Sequence, residues 1–168
     1  MNDVTTNYLT RAETWLIVTT LFYFLLNGAQ IFETVVLVPK WTADPPKTFA
    51  ILTDKNGASL KTFWILFHSL HEVTFILAIV FCWQLTEVRN WLLMLFTMHF
   101  AVRVWTILYF APTIIGFQNV AETPALDSRL KNKVFLWQKL NYLRVFLFIA
   151  VSVGLIPVCM KVFDLKRI

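Results

Sequence analysis

Charged residues are scarce in this chain, and their scarcity excludes most classes of soluble protein. Asp, Glu, Lys and Arg make up 15% of the 168 residues, whereas 58% are hydrophobic and the mean hydropathy is +0.64. Soluble domains are about half apolar and about a quarter charged. The composition therefore indicates a chain that is solvated mainly by lipid.

Glycine, proline and cysteine are also few, with 4, 6 and 2 copies, and no repeat or glycine-rich phosphate loop occurs. Cys82 and Cys159 fall near the same face of an up-down bundle. A disulfide is therefore geometrically conceivable, although two buried thiols are the simpler interpretation. The net charge of +5 comes from loops and tails without a clustered basic stripe. Lipid headgroups account for it, so no nucleic-acid partner is expected.

Four apolar stretches are long enough to cross about 30 Å of hydrocarbon as helices, which takes roughly 20 residues each. They are approximately 14–38, 62–83, 91–112 and 134–160, with a long loop at 39–61. The first stretch is expected to remain in the protein, because it contains Gln30 and Glu33 and no signal-cleavage site follows it.

The sequence thus predicts a single all-α domain over 1–168, an integral membrane four-helix up-down bundle with both termini on the same side. Its expected location is multi-pass in a membrane, a bacterial inner membrane being the expectation, with the lipid bilayer as partner. Oligomerisation is compatible with this architecture.

Each predicted helix carries polar side chains in its middle, where an ordinary span is apolar. The four sets are Asn27, Gln30 and Glu33; His68, His71 and Glu72; His99 and Arg103; and Gln138, Asn141 and Arg144. The end of the bundle that carries the loop at 39–61 is called the upper end. At 1.5 Å and 100° per residue, every set lies between the midplane and this upper end, and each set lies on one side of its helix. Unpaired polar groups cost several kcal/mol in lipid, so these side chains are expected to converge inside the bundle.

The charges of these residues leave a structural interpretation open. Two glutamates, Glu33 and Glu72, balance two arginines, Arg103 and Arg144. Ion pairs between them would fix the register of the helices, and the histidines would bond to backbone or amide groups. A structural or partner-binding membrane subunit with an ion-paired core is therefore one hypothesis.

A metal site is the first functional hypothesis, because polar residues inside a membrane are retained mainly for function. Three imidazoles and two carboxylates suit iron, copper or zinc. The predicted ligands are Glu33, His68, His71, Glu72 and His99. Arg103, one turn from His99, would however repel a cation.

A metal-free acid–base site is the second functional hypothesis. A histidine base oriented by a glutamate, facing an arginine that stabilises an enolate or phenolate, is ordinary catalytic apparatus. The predicted catalytic residues are His68, His71, Glu72, Arg103, Arg144 and Asn141. Asn27, Gln30, Gln138 and Trp64 are predicted to bind the substrate, an apolar or aromatic small molecule.

Several short motifs resemble the anthrone-oxygenase-like family of four-helix membrane proteins. They are Asn27-Gly28-Ala29-Gln30 with Glu33, Val38-Pro39-Lys40-Trp41, Pro45-Pro46-Lys47-Thr48-Phe49, and the Trp137-x-x-x-Asn141-x-x-Arg144 pattern. The resemblance implies the same helix pattern along the chain. For some members it implies oxidation of anthrone-type polyketides to quinones without a cofactor. The cluster of His68, His71 and Glu72 is not part of that pattern.

The leading hypothesis is a membrane-embedded oxidoreductase or oxygenase-like enzyme that acts on an apolar or aromatic small molecule at a site of His, Glu and Arg side chains. A transporter of a small molecule, protons or metal ions is the alternative from another class, since His and Glu chains form proton paths in membranes. The predicted lower half of the bundle has few polar groups to complete such a path.

Overall fold

The computed structural model describes residues 3–52, 60–120 and 128–167, which are almost entirely helical and include no strand. The α-helices are α1 (Asp3–Phe32), α2 (Val38–Trp41), α3 (Leu60–Phe81), α4 (Thr86–Trp105), α5 (Ala111–Gln118) and α6 (Ser128–Arg167). Two π-helical turns, Glu33–Leu37 and Thr106–Phe110, connect α1 to α2 and α4 to α5. A 3-10 turn covers Lys47–Leu52.

These elements form four helical spans that are long and apolar enough to cross a membrane. They are span 1 (Thr6–Trp41), span 2 (Leu60–Phe81), span 3 (Thr86–Gln118) and span 4 (Ser128–Arg167). Large apolar side chains cover their outer faces, among them Leu21, Leu108 and Phe146, each more than 60% exposed. The predicted all-α four-helix bundle is confirmed, and the four spans indicate a multi-pass membrane protein.

Spans 1, 3 and 4 extend further than the apolar stretches predicted at 14–38, 91–112 and 134–160, whereas span 2 is shifted by two residues from 62–83. The loop predicted at 39–61 is correspondingly shorter. Helix continues to Trp41, Lys47–Leu52 is a 3-10 turn, and α3 begins at Leu60; residues 53–59 lie outside the described residues. Hydropathy detects only the apolar part of a helix. The turns added at one end of the bundle, at the starts of spans 1 and 3 and the end of span 4, are polar, and two ion pairs, Glu13 with Lys166 and Glu87 with Lys161, join them to one another. The turn added at the end of span 3 is not polar, since it includes Ile114, Ile115 and Phe117.

The same two ion pairs establish the directions of the spans. They place the beginnings of spans 1 and 3 beside the end of span 4, and the Gln84 N–H, just after span 2, donates to the Tyr8 hydroxyl (3.1 Å). Sequential spans are therefore antiparallel, and the described chain begins and ends at one end of the bundle, called the lower end. Cys82 and Cys159 are both free thiols near this end.

Two apolar cores occupy the two ends of the bundle. The lower core draws on all four spans and includes Leu16, Phe75, Leu92, Phe148 and Leu155. The upper core is rich in aromatic side chains and consists of Val38, Trp41, Phe49, Phe110, Phe117, Val134 and Trp137. Span 2 contributes no buried residue to the upper core, since its first buried side chain is His68.

Packing between the spans is uneven as a result. Span 1 packs extensively against spans 2 and 4, and span 3 packs extensively against span 4, whereas α3 and α4 make the sparsest contact of these pairs. The upper part of span 2, from Leu60 to Phe67, therefore lies at the periphery of the bundle.

Each π-helical turn ends two residues before a proline, Pro39 after Glu33–Leu37 and Pro112 after Thr106–Phe110. Proline lacks an N–H, and its ring clashes with the carbonyl oxygen four residues earlier in an α-helix. A wider turn removes that clash without ending the span, which is why both spans continue past their prolines. In both spans the upper core begins directly above or within this turn.

Leu155→Ala should destabilise the bundle by about 2 kcal/mol, because Leu155 is fully buried in the lower core and truncation leaves a cavity. Leu143→Ala, on the outer face of the same helix, is the matched control and should change stability little. Thermal unfolding in detergent, followed by circular dichroism, measures both. Equal effects of the two substitutions would contradict the assignment of the lower core.

Candidate functional site

A layer of polar side chains separates the two apolar cores. This polar layer consists of Tyr23, Asn27, Gln30 and Thr34 from span 1, His68, His71 and Glu72 from span 2, His99 and Arg103 from span 3, and Asn141, Arg144 and Ser152 from span 4. All four spans contribute, as the sequence predicts. On span 1 the members recur at intervals of three and four residues, so they share the inner face of the helix.

Hydrogen bonds between spans 1 and 4 fix two amides of the layer. The Asn27 Nδ2 donates to the Phe148 carbonyl oxygen (3.2 Å) and to Ser152 Oγ, and Ser152 donates to the same carbonyl (3.1 Å). About two turns higher, the Asn141 Nδ2 donates to Thr34 Oγ1 (3.1 Å). Both amides therefore lie in the interior and bind span 1 to span 4.

Arg144 is also held inside the layer. One of its terminal nitrogens donates to Asn141 Oδ1 (2.7 Å), and its guanidinium carbon lies 4.4 Å from the centre of the Phe110 ring in a cation–π contact. Its Nε has no hydrogen-bond partner among the described residues. Arg144 thus places a charged donor group at the boundary between the polar layer and the upper core.

The centre of the layer is a group of three rings, Tyr23, His71 and His99, each fully buried. The Tyr23 hydroxyl and His99 Nδ1 are 3.0 Å apart, and the ring centres of Tyr23 and His71 are 4.4 Å apart at an interplanar angle of 85°. The rings of His71 and His99 lie 5.0 Å apart. Phe75 and Phe148 border this group from the lower core.

His68 lies one turn above His71, at the edge of the layer. It is buried, and its ring stacks on that of Trp64, with 5.3 Å between ring centres. Trp64 itself is half-buried. Trp64, one of the predicted substrate-binding residues, thus contacts His68 and belongs to the peripheral part of span 2.

The charged members of the layer are only partly arranged as predicted. Glu72 accepts a hydrogen bond from Arg103 Nε (3.1 Å), and this ion pair bridges spans 2 and 3, where their packing is sparse. Glu33 and Arg144 interact electrostatically but form no ion pair within 4 Å in the described part of the chain. Glu33 is half-buried, and Thr34 instead takes the inward position next to Asn141.

The five predicted metal ligands, Glu33, His68, His71, Glu72 and His99, do not form one coordination set. Within the described ranges, no three His, Cys, Asp or Glu side chains lie close enough together to hold a metal ion. Glu72 is occupied by Arg103, and Glu33 is at the Arg144 side of the layer. The donor atoms present thus do not fit iron, copper or zinc as a bound cofactor.

Several polar atoms of the layer have no hydrogen-bond partner among the described residues. They are both ring nitrogens of His71, Nε2 of His99, Nδ1 of His68, Oδ1 of Asn27, Oε1 of Gln30 and Nε of Arg144. Leaving such atoms unpaired in a buried position costs about 1–3 kcal/mol each. These atoms, gathered in one layer, are open to hydrogen bonds with ordered water or with a bound molecule.

Gln138, another predicted substrate-binding residue, is only half-buried and is not part of the polar layer. Conversely, Tyr23, Thr34 and Ser152 belong to the layer, although they are not among the residues that the sequence predicts for the site. Tyr23 precedes Asn27 by four residues and Gln30 by seven, so the helical period was a sufficient signal to include it.

Comparison with protein-family models, with curated proteins and with solved structures gives no match for this chain. The assignment of the site therefore depends on its geometry.

Glu72→Leu should destabilise the bundle by about 2 kcal/mol, because it leaves the Arg103 charge without its partner inside the layer. The double variant Glu72→Leu, Arg103→Leu should recover most of that loss, because no unpaired charge remains. Glu87→Leu, at the exposed pair with Lys161, is the control and should cost less than about 1 kcal/mol. Detergent unfolding curves test this, and a double variant less stable than either single one would contradict it.

Proposed function

We propose that the protein is a membrane-embedded enzyme of oxidoreductase or oxygenase type, in which the polar layer removes a proton from an apolar or aromatic small molecule. One observation carries the proposal: His71 is fully buried, yet neither of its ring nitrogens has a partner among the described residues. A neutral imidazole has one donor and one acceptor nitrogen. His71 can therefore offer a substrate a base without first breaking a bond inside the protein.

The surroundings of His71 favour an uncharged, ring-shaped substrate. Its neighbours Tyr23, Phe75 and His99 present aromatic faces and edges, against which flat molecules pack well. The donor group of Arg144 lies above, where it can stabilise a negative charge that develops on the substrate. This combination of a base and a cationic donor in an aromatic setting suits the deprotonation of a carbon or oxygen acid.

In this proposal the substrate approaches the polar layer from the lipid along the upper part of span 2. No residue between Leu60 and Phe67 is buried, and an open groove of about 430 Å³ runs between spans 1 and 2. Phe24, Leu25, Gly28, Ala29, Phe63 and Phe67 line it. Gly28 and Ala29 lie between Asn27 and Gln30 in sequence, and Phe67 precedes His68, so the groove adjoins the polar layer.

Oxidation would follow proton removal. The C–H bond of the substrate breaks, its proton passes to His71, and its electron pair remains on the substrate as an enolate. Dioxygen, the co-reactant in this proposal, then oxidises the enolate. When a CH2 group is oxidised to a carbonyl group, one dioxygen molecule is consumed. One of its oxygen atoms becomes the oxygen of the new carbonyl group, and the other leaves as water.

The lower core favours an enzyme over a transporter. A transport path would continue through the bundle, but the cluster of buried residues below His71 is apolar. The ion pair of Glu72 and Arg103 supports a structural role for those two charges, since it bridges the sparse contact of spans 2 and 3. It does not account for the unpartnered nitrogens of His71.

His71→Phe should abolish oxidation of anthrone to anthraquinone, because phenylalanine keeps the ring packing but cannot accept a proton. The assay follows dioxygen uptake by purified protein in detergent, with anthrone as the probe and the protein-free rate subtracted. Tyr142→Phe, an exposed position on span 4, is the control and should keep the rate of the unsubstituted protein. Equal rates for the His71 variant and the unsubstituted protein would contradict the proposal.

Gly28→Leu should lower the rate at small anthrone concentrations about tenfold and leave the fold intact. A side chain added at Gly28 meets no atom within 4 Å at its Cβ, so leucine fits and its branches extend into the groove. Gly116→Leu is the matched control, because Gly116 is an equally open glycine outside the groove. A rate unaffected by Gly28→Leu would show that the substrate takes another route.

A further inference from the structure

The bond between Tyr23 and His99 determines which nitrogen of His99 carries a proton. The Tyr23 hydroxyl is fully buried, and His99 Nδ1, at 3.0 Å, is its one hydrogen-bond partner among the described residues. A buried hydroxyl whose proton has no acceptor loses about 1–3 kcal/mol. With Tyr23 as the donor, only the Nε2–H of His99 stays unpaired, whereas the reverse arrangement would leave both the Tyr23 O–H and His99 Nε2 unpaired. Tyr23 therefore donates its proton to His99 Nδ1.

This direction fixes the tautomer of the ring. Since Nδ1 of His99 is an acceptor, the single N–H of the neutral imidazole is on Nε2. The Nε2 atom is buried and has no partner among the described residues, so its N–H is an unused donor. His99 thus differs from His71, whose two ring nitrogens both lack a hydrogen-bond partner in the described part of the chain.

The two imidazoles offer complementary groups to one ligand. Their ring centres are 5.0 Å apart with an interplanar angle of 60°, and they lie on different helices, spans 2 and 3. One ring supplies a fixed N–H donor and the other an available base. Removing a proton next to a carbonyl requires this combination, because the electron pair released moves onto the carbonyl oxygen.

We propose that His99 is a catalytic residue that donates its Nε2–H to the carbonyl oxygen of the substrate, and that Tyr23 is the positioning residue that maintains this tautomer. This inference rests on the proposed function. His71 takes the proton from the carbon next to the carbonyl, the C–H electron pair forms a carbon–carbon double bond, and the carbonyl electrons move onto oxygen. The His99 N–H remains on nitrogen and stabilises the oxyanion.

The tautomer can be tested directly, because the chain contains only three histidines. Nitrogen-15 NMR of histidine-labelled protein in detergent should show His99 protonated at Nε2 and unprotonated at Nδ1, with its signals assigned by their loss in His99→Gln. Tyr23→Phe should convert the His99 signals to a mixture of both tautomers. Tyr142→Phe, the same substitution at an exposed site, should leave them unchanged.

Kinetics with anthrone test the role of the N–H. His99→Phe should lower kcat about 100-fold or more with little change in KM, in line with the loss of an oxyanion donor. His99→Gln, whose side-chain amide can still donate, should recover part of that loss. Tyr23→Phe should lower kcat more than it raises KM.

Two outcomes would overturn the inference while the proposed function stands. One is a His99 ring protonated at Nδ1; the other is His99→Phe that retains full kcat while His71→Phe is inactive. If the His71→Phe variant is itself fully active, both the proposed function and this inference about His99 are wrong. Circular dichroism of each variant identifies those that do not fold, and for a His99→Phe protein that fails to fold, the tautomer measured on the unsubstituted chain decides.

Discussion

The structure depends on one constraint, that a polar group inside the hydrocarbon of a membrane finds its partner within the protein. Spans 1 and 4 meet this constraint through Asn27, Ser152, Thr34 and Asn141, whose hydrogen bonds connect the two helices at two levels. Between spans 2 and 3 the described side chains form one ion pair, Glu72 with Arg103, and the ring nitrogens of His71 meet no partner among the described residues. The difference in the number of bonds parallels the difference in packing, which is extensive between spans 1 and 4 and sparse between spans 2 and 3.

The bundle and the polar layer could be predicted because both depend on simple periods. Length and hydropathy give the number of spans, and the 3.6-residue repeat places His71, His99 and Asn141 on inner faces at similar depth. Glu33 is the exception, because the helical period itself does not support the inward position predicted for it. It is six residues after Asn27, which turns it well away from the inner face, and the π-helical turn begins at the same residue. Thr34 has the inward position instead.

Pairing between side chains could not be predicted, because it depends on rotamers and on small differences in height between helices. Two glutamates and two arginines can pair in two ways, since each glutamate could bind either arginine. Of these four side chains, Glu72 and Arg103 form the direct ion pair. Tyr23 was within reach of the helical period, but its ring suggests a core residue until the hydroxyl is seen beside His99. The uneven contribution of span 2 to the upper core is likewise a tertiary property that no local pattern carries.

The two apolar cores have a consequence for the energetics of any reaction between them. The lower core insulates the polar layer from one aqueous phase, and the aromatic upper core insulates it from the other. In the proposed reaction, a proton taken up by His71 would therefore be exchanged with the substrate, the product or water that arrives from the side, and it would cross neither core. Turnover in such a layer moves no net charge across the membrane, so its rate would be independent of both the membrane potential and the proton gradient.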